Sequence, residues 1–132
     1  MDIRVVRDRG EVSSQVVLVV PVVVLLMMMG LQAALVYHSA AIASAAAGRG
    51  AAVASGARTP GLPGAVAGVY EATAQVVDLG GELVRTPTVG LSDGRVTLSV
   101  EVRVPRLVPF FPSTVVRTVV EPIERTTLET ER

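Results

Sequence analysis

Between Glu11 and Arg49 the chain runs for 37 residues without one Asp, Glu, Lys or Arg, and this run limits what the protein can fold into more than any other feature. Its first part, Val16 to Tyr37, reads VVLVVPVVVLLMMMGLQAALVY. As a helix it rises roughly 33 Å, enough to cross a hydrocarbon core of about 30 Å. A helix apolar on all sides has no polar face to turn to water, so a membrane span is expected. The competing expectation is a cleaved secretory signal, with Arg4, Arg7 and Arg9 as its charged start and Ala43-Ser44-Ala45 as the small residues before a cut. Signal h-regions are only about 7–15 residues long, which favours a retained helix. Three arginines precede the span, whereas Arg49 and Arg58 are the first to follow it. That asymmetry puts the N-terminus in the cytoplasm and the rest of the chain outside, as a single-pass protein of the cytoplasmic membrane.

Pro21 removes one backbone hydrogen bond and is the expected helix kink, tolerated in a membrane. After Tyr37 the sequence turns to alanine and glycine, so the helix should continue out of the bilayer towards Ala57. Ala33, Ala40, Ala41, Ser44, Ala45 and Ala47 would then give thin faces for neighbouring helices. An alanine-rich stalk explains the same composition. A linker at 58–64, with two prolines and two glycines, breaks the helix. From Ala65 to Leu79 the larger side chains Val66, Val69, Tyr70, Thr73, Val76 and Val77 recur at spacings of three and four, which predicts a second helix ended by Gly80-Gly81.

The period then changes to two. In Arg95–Val104 every even position is apolar and every odd one polar, the pattern of a half-buried strand. Ser92-Asp93-Gly94 carries turn chemistry, making Glu82–Gly90 its antiparallel partner. A third strand is expected within Thr114–Glu121, with Pro122 ending it or marking an edge. Val96, Leu98, Val100, Val102 and Val104 need a cover, and the Val66/Val69/Val76 side of the second helix is the nearest one. The fold class is thus α+β: a long N-terminal helix, a short helix and a small antiparallel sheet of about three strands in a domain at 65–125, with a polar tail at 126–132. So small a core would need packing on the stalk or on partner subunits.

Residues that could carry chemistry are sparse. The single histidine, His38, has no charged neighbour in sequence and is expected at the membrane interface rather than in catalysis. Glu71, Asp78, Glu82, Asp93 and Glu101 are scattered without metal-ligand spacing, and there is no cysteine. Gly48-Arg49-Gly50 and Gly61, Gly64 and Gly68 lack the continuation of a phosphate-binding loop. Zero net charge, with 12 basic and 12 acidic residues, leaves no basic footprint for nucleic acid. No enzyme, metal, cofactor or small-molecule substrate is therefore expected. One unusual segment remains, Val104–Pro112, which holds three of the eight prolines and both phenylalanines. Leu107, Phe110 and Phe111 either fold back to plug the small core or form an exposed contact patch for a partner or the membrane surface.

Arg9-Gly10-Glu11-Val12-Ser13-Ser14-Gln15 followed by Pro21, the Gln32–His38 stretch, the alanine-rich continuation, Val104–Pro109 and Glu121–Arg125 together resemble the TadE-like family. These are small pseudopilins of tight-adherence (Flp-type) pilus systems. The resemblance implies a pilin-like fold and a non-enzymatic role in pilus assembly, bacterial adhesion or a related type IV pilus-like secretion system. It also implies a prepilin peptidase cutting between Gly10 and Glu11, releasing residues 1–10 as a cytoplasmic leader. Partners would be the membrane, other pilins or pseudopilins and the inner-membrane assembly platform, with the cell surface or the pilus as a further destination. Gln15 stands where the family usually has glutamate. Its neutral hydrogen bond is roughly half as strong as a charge-assisted one, which favours an initiating, tip or platform subunit over a filament subunit. Two other expectations stay open: a secreted binding module released after Ala45, and a membrane-anchored accessory subunit unrelated to pili.

Overall fold

The computed structural model describes residues 8–56 and 61–123, with side chains from residue 16 onward. Helix α1 (Asp8–Ser55) is a single element of 48 residues. Helix α2 spans Leu62–Asp78. Strands β1 (Thr88–Ser92), β2 (Arg95–Arg103) and β3 (Thr114–Pro122) form one antiparallel sheet in the order β1-β2-β3. The α+β class and its element order follow the sequence expectation.

Helix α1 passes through Pro21 without interruption. It has two parts. Every residue from Val16 to Leu31 is exposed, and burial begins abruptly at Gln32. From there Ser39, Ile42, Ala43, Ala46, Ala47, Ala51 and Ala54 follow one face at helical spacing, all buried. That face carries the sheet and, towards its C-terminal end, also α2. Val96, Leu98 and Val100 are fully buried, and Val102 and Val104 nearly so. The alternation read from the sequence therefore holds at all five positions, each contributing on the order of 1.5–3 kcal/mol by burial.

The cover over the strands is supplied mainly by α1, the stalk, and of the expected α2 valines only Val76 shares in it. The core joins Ile42, Ala43, Ala46, Ala47 and Ala51 of α1 to Leu98, Val100 and Val102 of β2 and to Ala72 and Val76 of α2, with Leu83 and Val119 packed against it. Helix α2 lies mainly against α1, and it does so through Gly64, Ala65, Gly68, Ala72 and Val76. Its larger side chains point away: Val66 is 68% exposed, Tyr70 76% and Val77 66%. Small residues win this face because they let the two backbones come close. A β-carbon placed on Gly68 would lie 2.5 Å from the Gly50 carbonyl oxygen, and one on Gly50 would lie 2.6 Å from that of Gly68. Of the six small residues expected to contact neighbouring helices, only Ala47 is buried within the chain; Ala33, Ala41, Ser44 and Ala45 remain exposed.

Element ends follow local chemistry. Helix α2 begins at Leu62, three residues before the expected start, because Pro63 fits a first helical turn. It ends in a Schellman motif, with Gly81 N–H donating to the Val76 carbonyl at 2.8 Å and Gly80 N–H to Val77 at 2.9 Å, Gly80 holding φ +72°. Asp93 and Gly94, at φ 50° and 70°, make the tight turn between β1 and β2, with Ser92 opposite Arg95. The expected partner strand Glu82–Gly90 is met in two pieces. Leu83 bridges to Val102, Pro87 interrupts, and regular pairing resumes at Thr88–Ser99. Pro122 closes the edge strand β3 opposite Arg95.

Candidate functional site

The feature with the most constrained geometry is centred on Gln32, the one amide in an otherwise apolar stretch of helix. Its side chain is fully buried and makes three hydrogen bonds to one loop. Leu107 N–H donates to Gln32 Oε1 at 2.7 Å and Val108 N–H at 3.2 Å, while Gln32 Nε2 donates to the Pro105 carbonyl at 3.1 Å. A second tie lies two turns further on, where Ser39 Oγ donates to the Arg103 carbonyl at 3.4 Å. The two contacts lower the β2–β3 connection down α1 towards its N-terminal part. Val104 N–H donates to the Ser113 carbonyl at 2.8 Å and closes the loop at the sheet end. Its other end is a turn in which Phe111 N–H approaches the Val108 carbonyl at 3.5 Å.

This is the proline- and phenylalanine-rich segment picked out in the sequence. Of the two roles open to it, the core plug is not adopted. Phe110 is 93% exposed and Leu107 44%, with Phe111 half-buried. The prolines explain why backbone N–H groups here look to a side chain. Pro105, Pro109 and Pro112 cannot donate, so the segment cannot extend either strand, and the amide of Gln32 takes the donors that a sheet would have taken. The sequence alone missed this role for Gln32. Its only local signal is a primary amide amid alanine, leucine and valine, since its partners lie more than 70 residues away.

Other candidate residues are placed as follows. Gly10, Glu11 and Gln15 lie on the first turns of α1, and their side chains fall outside the described residues, as do residues 1–7 of the expected leader. Pro21 lies within the exposed part of α1. His38 is exposed beside a hollow of about 270 Å³ that also touches Ser39, Glu82 and Arg103. In that hollow the Ser39 hydroxyl is engaged by a carbonyl, and Arg103 pairs with Glu82 at 2.9 Å. Two more exposed pairs, Arg49–Glu71 between the helices and Arg85–Glu101 at the sheet, complete the ion pairs found among the described residues. Among the described residues no three His, Asp or Glu side chains converge as a metal site. One helix, α1, is long and apolar enough to cross a membrane. Comparison with protein-family models, with characterised proteins and with solved structures finds no match to this chain.

Proposed function

We propose that this protein is a non-enzymatic minor pseudopilin, an assembly component of a tight-adherence or related type IV pilus-like system, held in the cytoplasmic membrane by α1 with its α+β domain outside. The observation that carries this reading is that a single helix joins a long exposed apolar part to the core of the domain. Its exposed apolar part, Val16–Leu31, has the character of a span, and its continuation from Gln32 to Ser55 is the spine on which the sheet and α2 are built. The resemblance of Arg9–Gln15 and Pro21 to the TadE-like pattern supplies the pilus and the prepilin peptidase. The exposed small residues Ala33, Ala41, Ser44 and Ala45 suit close contact with helices of other pilins or of the assembly platform.

Release after Ala45 is disfavoured by the packing. That cut would remove Ile42 and Ala43 from the core and detach the Gln32 and Ser39 ties from the domain. The test is the N-terminal sequence of the mature protein from membranes of its own host. A start at Glu11 is expected. A start at Ala46, with the protein in the medium, refutes the proposal in favour of a secreted module.

A further inference from the structure

We infer that the turn Val108–Phe111 is a lipid-contacting foot, which rests Leu107, Phe110 and Phe111 on the outer surface of the bilayer and sets the height of the domain above it. The inference relies on α1 being retained in a membrane, as in the proposed function, and on nothing specific to pili.

Three observations converge. The first is where burial starts. Val16–Leu31 is exposed throughout, and Gln32 is the first residue covered by protein, with Leu35 and Val36 half-covered beyond it. The outer limit of the lipid-facing helix is therefore at Leu31, about a turn and a half below the Tyr37 limit suggested by hydropathy. Val16–Leu31 rises about 24 Å, and the uncharged turn before it, from Val12, brings the length to about 30 Å, one hydrocarbon thickness. The second is that the foot is fixed at that limit. The hydrogen bonds from Gln32 to Pro105, Leu107 and Val108 hold the loop at the first helical residue above the hydrocarbon. The third is what the loop presents. Phe110 is almost wholly exposed, Leu107 partly so, and Arg106 beside them is exposed and suited to a lipid phosphate. Both phenylalanines of the chain thus lie in the loop that Gln32 holds, apolar side chains of the kind that insert at a membrane interface.

A lipid occupant is favoured over a protein because the apolar turn is continuous with the exposed apolar helix that the bilayer would surround, and because the helix length brings the bilayer surface to the loop. The chain contains no tryptophan, which allows a direct test. Full-length F110W is reconstituted in vesicles of phosphatidylcholine and phosphatidylglycerol whose acyl chains are brominated either near the headgroup or near the chain end. The expected result is blue-shifted emission, lost chiefly with bromines near the headgroup. M27W, in the exposed part of α1, is the companion, with quenching that extends to the deeper bromines. Quenching of M27W without quenching of F110W overturns the foot and leaves anchoring intact. Loss of quenching in both overturns anchoring as well. Blue-shifted but unquenched F110W overturns the lipid contact in favour of a second copy of the chain covering the turn.

Discussion

The close approach of α1 and α2 makes two glycines in the same helical turn behave oppositely. A β-carbon on Gly48 would find no atom within 4 Å, so Gly48→Ala only relieves the cost of glycine in a helix and should stabilise by about 0.5–1 kcal/mol. A β-carbon on Gly50 would lie 2.6 Å from the Gly68 carbonyl oxygen, 2.8 Å from Ala72 Cβ and 2.9 Å from Leu98 Cδ1. The first two neighbours are backbone or rigidly attached to it, so the helices must part. Overpacking costs typically 1–3 kcal/mol, and three simultaneous overlaps put Gly50→Ala near the upper end. After subtracting the helix-propensity gain of about 1 kcal/mol, a net loss of about 2 kcal/mol remains. For a domain of this size 1 kcal/mol corresponds to roughly 4–8 °C, so Gly50→Ala should melt about 8–16 °C below the parent chain and Gly48→Ala a few degrees above it. Thermal unfolding of the full chain in detergent micelles, followed by far-UV circular dichroism, reads both. Melting of Gly50→Ala at or above the parent temperature would refute the packing described for α1 and α2.

Other perturbations have equally definite outcomes. Gln32→Ala deprives Leu107 N–H, Val108 N–H and the Pro105 carbonyl of their partner, and at about 0.5–1.5 kcal/mol for each bond the loop should loosen by about 2–4 kcal/mol. Amide hydrogen exchange should accelerate at Leu107 and Val108 while β2 stays protected, and unchanged exchange there would contradict the three-bond tie. Leu98→Ala, at a fully buried position facing α1, should cost about 2–5 kcal/mol in denaturant unfolding. Arg49→Ala removes an ion pair whose side chains are 64% and 33% exposed, and its effect should stay below about 1 kcal/mol in the same assay.

What was legible in the sequence was what depends on near neighbours. Alternation over Arg95–Val104 identifies β2 and its buried face, and Ser92-Asp93-Gly94 identifies the turn, because strand faces and turn conformations are set within a few residues. Gly80-Gly81 marks the end of α2 for the same reason. The apolar side of α2 was misjudged because periodicity locates faces without ranking them. Two helices that approach as closely as Gly50 and Gly68 do need small side chains, so Val66, Tyr70 and Val77 are left outside while Val76, nearer the end of α2, stays buried. The sheet is covered by α1 because the long helix supplies a continuous buried face from Ile42 to Ala54, while α2 is already committed to α1. The role of Gln32 was hidden because its partners come from the far end of the sheet. The exposure of Phe110 was open in the sequence, since proline-rich segments with aromatic residues serve both as plugs and as contact loops.

Because one helix carries both the exposed apolar stretch and the spine of the domain, the order of synthesis has a cost. The face from Ile42 to Ala51 is made early, yet its partners Leu98, Val100 and Val102 come some fifty to sixty residues later. Until they arrive, nothing in the chain can shield that face except α2, through its own small residues. The nascent chain therefore carries a bare, sticky stalk until those strands are made. Closure by β2 and β3 has to wait until Arg95–Pro122 has been made. A premature stop before Thr114 should leave that stalk uncovered, which limited proteolysis reads as faster cleavage within α1 than in the full chain.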